Sequence, residues 1–294
     1  MGEARAEIAQ VAASLRTFTV NGIDVTEPYP EFASPPYGDG IVLVPWPNRI
    51  EDGLWTLDGV PMQLDITEPA RNTALHGLLV HTAYDVVEQT DSAVTLSATV
   101  YPQNGYPFLL DTTVRYEITD DGLVVTHEVH NVSAVKAPVA IGTHPFLTIG
   151  DVPSEELVLT INAATRFEVD ERLIPTGEKP VDGTRYDLRG GRTLADVYLD
   201  DAFGQVEMID DVSRHWIEAP DGRRVELWQD KSCEFVQVFV TREFPKNGGV
   251  GLAVAVEPMT APPNAFNTGQ GLRWLAPDER WSVQWGVRYL PGNA

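Results

Sequence analysis

The stretch Val94-Thr-Leu-Ser-Ala-Thr-Val100 alternates without a break. Val94, Leu96, Ala98 and Val100 fall on one face and Thr95, Ser97 and Thr99 on the other, the period of two that a half-buried strand requires. A turn-rich run from Pro102 to Pro107 follows, and Val114, Tyr116 and Ile118 then resume the pattern. Asp120-Asp121-Gly122 is a turn signal leading into Leu123–His130, so these segments are predicted to form a β-hairpin. Further strands are predicted at Leu157–Ile161, Val225–Trp228, Phe235–Val240, Val250–Glu257 and Trp281–Tyr289. Helical periodicity is confined to a short turn at Thr193–Tyr198. No Ser-, Gly- or charge-rich block divides the chain, and 22 prolines and 24 glycines are scattered through it as turn residues would be. The expected fold is all-β: one large antiparallel β-sandwich, a single domain over residues 1–294.

The charge balance narrows the partners. With 21 basic and 43 acidic residues the net charge is −22, a field that repels phosphate backbones and argues against nucleic acid and anionic membranes. The longest apolar run, Val250 to Val256, is far shorter than the roughly 20 residues of a spanning helix. The start of the chain lacks the apolar core of a signal peptide. The one cysteine, Cys233, cannot form an internal disulfide, which fits a reducing, cytoplasmic setting. Monomer and homodimer both stay open.

Five segments could carry chemistry. Ile41 to Val44 runs into two prolines around Trp46 and delivers Asn48 and Arg49, a donor–acceptor pair suited to a polyhydroxyl ligand or, equally, to a surface ion pair. Ala74-Leu-His-Gly holds His76, a residue that in apolar company is usually a bonded core histidine. Gly142-Thr-His-Pro-Phe146 places His144 between a strand end and a proline. Leu199-Asp-Asp-Ala-Phe203 offers Asp200 and Asp201, on its own an ordinary loop turn. The fifth is a strand pair. Gln237 shares a face with Phe235 and Phe239, and Glu257 shares one with Ala253 and Ala255, while the valines between point the other way. A carboxylate closing an apolar strand is costly without partners, and the small alanines before it would leave room for a ligand. His127 and His130 point to opposite faces of one strand, His81 lies off register from His76, and no metal-site spacing is present.

In order along the chain, Asn48-Arg49, His76-Gly77, Gly142-Thr-His144-Pro145-Phe146, Asp200 to Phe203, Gln237, and Glu257-Pro258 with Pro263-Asn264-Ala265-Phe266-Asn267 resemble the aldose 1-epimerase (galactose mutarotase) family. The resemblance implies a sandwich of the galactose-mutarotase type and interconversion of the anomers of a free hexose with no cofactor and no metal. It implies Glu257 as general base and His144 as general acid, on opposite sides of the sugar ring, with Asn48, Arg49, His76, Asp200 and Gln237 binding hydroxyls. Phe146-Leu147 replaces the family's usual Tyr-Phe, and Asn264 its usual Asp; both changes are expected to alter which hydroxyls are recognised. Two other readings keep the same fold: a hexose-6-phosphate 1-epimerase, with Arg71 in a phosphate-binding cluster, and a sugar-binding protein without turnover. Asp200 with Glu257 could also imitate the paired carboxylates of a glycoside hydrolase.

Overall fold

The predicted hairpin is present in the computed structural model, which describes residues 3–246 and 248–292. Strands Leu110–Thr119 and Gly122–Asn131 pair in register through a two-residue turn, Asp120-Asp121, with Thr119 opposite Gly122. From this hairpin a nine-stranded sheet extends in both directions. On one side lie Ala93–Val100 and the edge strand Asp85–Gln89; on the other lie Arg280–Leu290, Arg224–Asp230, Val212–Glu218, Val158–Ile161 and Arg192–Thr193.

An eight-stranded sheet runs Pro175–Pro180, Ala163–Val169, Asp200–Val206, Phe235–Lys246, Gly249–Met259, Gly142–Thr143 and Val42–Leu43, with Phe146–Leu147 also paired to Gly249–Met259. The ladders of both sheets are antiparallel. One contiguous core includes Val125, Val129, Val283, Trp285 and Val287 from the larger sheet and Val236, Val238, Val240, Leu252, Val254 and Val256 from the smaller. Each such side chain, once fully buried, contributes about 1.5–3 kcal/mol. Two large side chains of this core have bonded polar ends: Tyr116 Oη donates to the Ala13 carbonyl at 2.7 Å, and Trp285 Nε1 donates to His127 Nε2 at 2.9 Å. His127 is therefore a core residue, and burial pushes its pKa down to about 4.

The expected strands are all found, several of them longer than read from sequence. Leu199–Phe203, which on its own reads as a loop turn, instead leads into and forms most of the strand Asp200–Val206. The helical turn expected at Thr193–Tyr198 shrinks to one 3₁₀ turn at Leu194–Asp196. Among the described residues no helix is long and apolar enough to cross a membrane, and no cluster of metal-ligating side chains occurs.

Candidate functional site

Strand parity builds the site. Gln237 and Glu257 are cross-strand partners at the centre of the smaller sheet. Since successive side chains alternate between faces, the flanking valines enter the core while this pair faces the opposite way. Asp200 joins them from the next strand, where Gln237 Nε2 donates to Asp200 Oδ1 at 2.7 Å. Asp201, one residue on, accepts from Arg166 Nε at 2.7 Å and does not reach the cavity.

His144 arrives between the two-residue strands Gly142–Thr143 and Phe146–Leu147. Its backbone is held on both sides: its N–H donates to the Ile41 carbonyl at 3.1 Å, and its own carbonyl accepts from Gly40 N–H at 2.9 Å. The imidazole lies against Phe146, ring centroids 5.4 Å apart at 29°. Phe146 in turn packs on Phe244, Ala253 and Ala255. The alanines thus make room for the aromatic shelf under His144. Expected to leave space for a ligand, they are filled from the protein itself.

Asn48 and His76 come from two loops locked to each other. Both have left-handed backbones, φ 56° and 63°. His76 N–H donates to the Asn48 carbonyl at 2.9 Å, and Asn48 N–H donates to His76 Nδ1 at 3.2 Å. An accepting Nδ1 leaves the ring proton on Nε2. Burial, then the nearby His144 and Arg49, hold the His76 pKa well below 6.5, so at neutral pH it is an uncharged donor. Gly77 makes the close approach possible. Its φ is +83° and an added Cβ would stand 2.1 Å from the Val44 carbonyl oxygen. Gly77→Ala is therefore expected to destabilise the protein by more than about 1 kcal/mol. The midpoint of urea unfolding measures this, and an unchanged midpoint would show that the loop pair relaxes freely.

Arg49 is buried and forked onto Glu68, with Nε to Oε2 at 2.8 Å and Nη2 to Oε1 at 3.1 Å. The same Nη2 lies 3.7 Å from Asp200 Oδ2. Together Asn48, Arg49, His76, His144, Asp200, Gln237 and Glu257 line one cavity of about 390 Å³, with Tyr37, Glu68, Arg71 and Phe239 among the other walls. His144 Nε2 is 3.3 Å from Glu257 Oε1. Burial, with Asp200 adding to it and Arg49 opposing, pushes the Glu257 pKa well above the carboxylate range. Burial, with Arg49 assisting, pushes His144 down to about 4. Glu257 Oε2, His144 Nδ1 and Gln237 Oε1 are among the buried side-chain atoms without hydrogen-bond partners, a cost that a polar ligand reaching them would offset.

The family model for aldose 1-epimerase matches residues 2–288. The chain belongs to the aldose 1-epimerase family. Across 276 residues it is 33% identical to the uncharacterized protein YihR of Escherichia coli (strain K12), covering 93% of this chain and 86% of that one. Human galactose mutarotase is 31% identical over 173 residues, 54% of this chain and 49% of that protein. A galactose mutarotase-like protein from Clostridium acetobutylicum superimposes with a TM-score of 0.84 at 18% identity, covering 98% of this chain and 93% of that one. The fold is accordingly an all-β sandwich of the galactose-mutarotase type.

Against that family pattern two expectations are corrected. Glu257 and His144 were expected on opposite sides of a sugar ring, but at 3.3 Å they leave no room for a ring between them and present themselves along one edge. The anomeric and ring oxygens of a pyranose are both bonded to C1, so one edge suffices for both proton transfers. The two departures from the family motif also do not line the cavity. Asn264 accepts from Glu51 N–H at 3.1 Å and from Asn267 Nδ2 at 2.7 Å, while its N–H donates to the Arg49 carbonyl at 2.6 Å; it braces the strand that carries Arg49. Glu68 was not singled out from sequence. A glutamate before Pro69 in a polar turn carries no local mark of its partners.

Proposed function

We propose that this aldose 1-epimerase-family chain interconverts the α and β anomers of a free hexose by acid–base ring opening, with Glu257 and His144 as the proton-transfer pair. The observation that carries this reading is their contact at 3.3 Å in a cavity also lined by Asn48, Arg49, His76, Asp200 and Gln237, polar groups able to bind hydroxyls. Glu257 takes the proton from the C1 hydroxyl while His144 gives one to the ring oxygen; the C1–O5 bond breaks and an open-chain aldehyde forms. Rotation about C1–C2 presents the other carbonyl face. Closure reverses both transfers, with Glu257 returning its proton to O1 and His144 recovering one from O5.

The step starts from the pair holding one proton in its ion-pair form, with Glu257 ionised and His144 protonated. Their contact at 3.3 Å favours this form, while burial of both groups favours the proton on Glu257. The proton count is the same before opening, in the open-chain complex and after closure. His76 and Arg49 donate to oxygens where negative charge develops, and Asn48, Asp200 and Gln237 fix the remaining hydroxyls. The chemistry described uses only proton transfer by side chains.

The hexose-6-phosphate reading draws on Arg71, which lines the cavity; its Nη1, however, already donates to Glu68 Oε1 at 2.8 Å. Freshly dissolved α-D-glucose and α-D-galactose, followed by polarimetry with and without the protein, test the proposal. Equilibration accelerated in proportion to protein concentration is expected. Binding of the sugars without acceleration would sink the enzymatic reading in favour of a sugar-binding protein. Acceleration confined to glucose 6-phosphate would move the substrate to the phosphorylated sugar.

A further inference from the structure

Glu68 has no part in the proton transfers, yet its carboxylate is bonded on every side. Oε2 accepts from Arg49 Nε at 2.8 Å and from Thr73 Oγ1 at 2.7 Å. Oε1 accepts from Arg49 Nη2 at 3.1 Å and Arg71 Nη1 at 2.8 Å. The backbone beneath it is closed as well, for Glu68 N–H donates to the Thr73 carbonyl at 3.0 Å and Thr73 N–H donates back at 3.2 Å. Thr73 is fully buried. Burial works against the ionised form of Glu68, but the hydrogen bonds from Arg49 and Thr73 and the charges of Arg49 and Arg71 outweigh it and hold its pKa below the usual value.

A guanidinium is a planar fork at the end of a flexible stem. Fixing its Nε–Nη2 edge on one carboxylate fixes the orientation of the plane. The edge left over carries Nη1, 3.4 Å from Asn48 Oδ1, and the outer side of Nη2, facing Asp200. The charge held there is felt by Glu257, His144, His76 and Asp200 alike. Arg49 thus needs a set place, and Asp200 at 3.7 Å is too distant to supply a hydrogen bond that would define it.

We propose that Glu68 is a positioning residue that acts through Arg49, holding the guanidinium plane where its free N–H groups meet the sugar and its charge meets the Glu257–His144 pair. The inference rests on the mutarotase reading above. Glu68→Gln replaces half of the acceptor fork with a donor facing a donor, so Arg49 must leave its plane. The expected result is a fall in kcat of about 10²-fold, the scale of an ångström-sized misplacement. Arg49→Met should show a loss at least as large, and the double variant should be no slower than Arg49→Met alone, because residues acting through one another are not additive.

Near-UV circular dichroism checks folding. If Glu68→Gln fails it, Glu68→Asp, which keeps the charge but is one methylene too short to span both guanidinium groups, is carried through the same cycle with the same expectation of non-additivity. Full kcat in a folded Glu68→Gln or Glu68→Asp protein overturns the proposal. So does multiplication of the two single losses in the double variant, which would mark Glu68 as a general support of the loop. The wild-type control separates this from the parent reading: a wild-type protein that does not accelerate mutarotation removes the proposed function itself.

Discussion

Replacing Glu257 by Gln is expected to slow anomeric equilibration by about 10²–10⁴-fold, the usual contribution of a positioned general base. The amide keeps the shape of the side chain and cannot accept the C1 hydroxyl proton. Stability should move the other way. Burial raises the Glu257 pKa above its unfolded value, so between the two values the folded state binds the extra proton, and stability falls as pH rises through that window. A neutral glutamine does not incur this penalty. Thermal melts at pH 8 should therefore find Glu257→Gln at least as stable as the wild type, a trade of activity against stability of the kind active sites often show. A folded Glu257→Gln protein that turns over normally would remove Glu257 from the reaction.

His144→Asn should cost a similar order, about 10²–10⁴-fold. Asparagine can bond where the ring nitrogen did, but it cannot deliver a proton. Because one proton is shared between the two side chains, the Glu257→Gln/His144→Asn double variant should be little slower than the worse single one. The wild-type pH–rate profile supplies an independent check. Below the depressed His144 pKa of about 4 the pair takes up a second proton and loses its base. Above the raised pKa of Glu257 it loses the proton it needs. A bell is expected, with its acid limb near the histidine value. A profile flat from pH 4 to 9, or a double variant in which the two losses multiply, would show that the groups do not work as a pair.

Much of the fold was legible because its determinants are local. Alternation in Val94–Val100 and a turn at Asp120-Asp121-Gly122 are read directly from neighbouring residues, and both recur in the sheet. The strand Asp200–Val206 was hidden for the converse reason: two aspartates and a glycine have poor strand propensity, and its ladder is imposed by the strands on either side. The parity of Gln237 and Glu257 followed from their own strands. That they meet Asp200, Arg49 and His144 is a property of register among segments far apart in sequence, and it entered through the family motif. Glu68 shows the limit of that route. Its importance lies in what it accepts from Arg49, Thr73 and Arg71, and no spacing rule announces such a convergence. Asn264 is the opposite case: by its motif it is expected to influence hydroxyl recognition, and in the structure it serves as a brace.

The strand pair Phe235–Lys246 and Gly249–Met259 carries core on one face and chemistry on the other, with Gln237 opposite Glu257. Chain length therefore constrains this protein more severely than residue identity. Deleting one residue between Gly251 and Val256 would exchange the two faces, turning the carboxylate toward the valine-rich interior and a valine toward the cavity. Substitutions along these strands can be absorbed one side chain at a time, whereas an insertion or deletion of a single codon disrupts packing and catalysis together. On the proposed reading, a change in which sugar is accepted is expected to come from side-chain exchange or from the loops that bear Asn48, Arg71 and His76, with the spacing of these two strands left as it is.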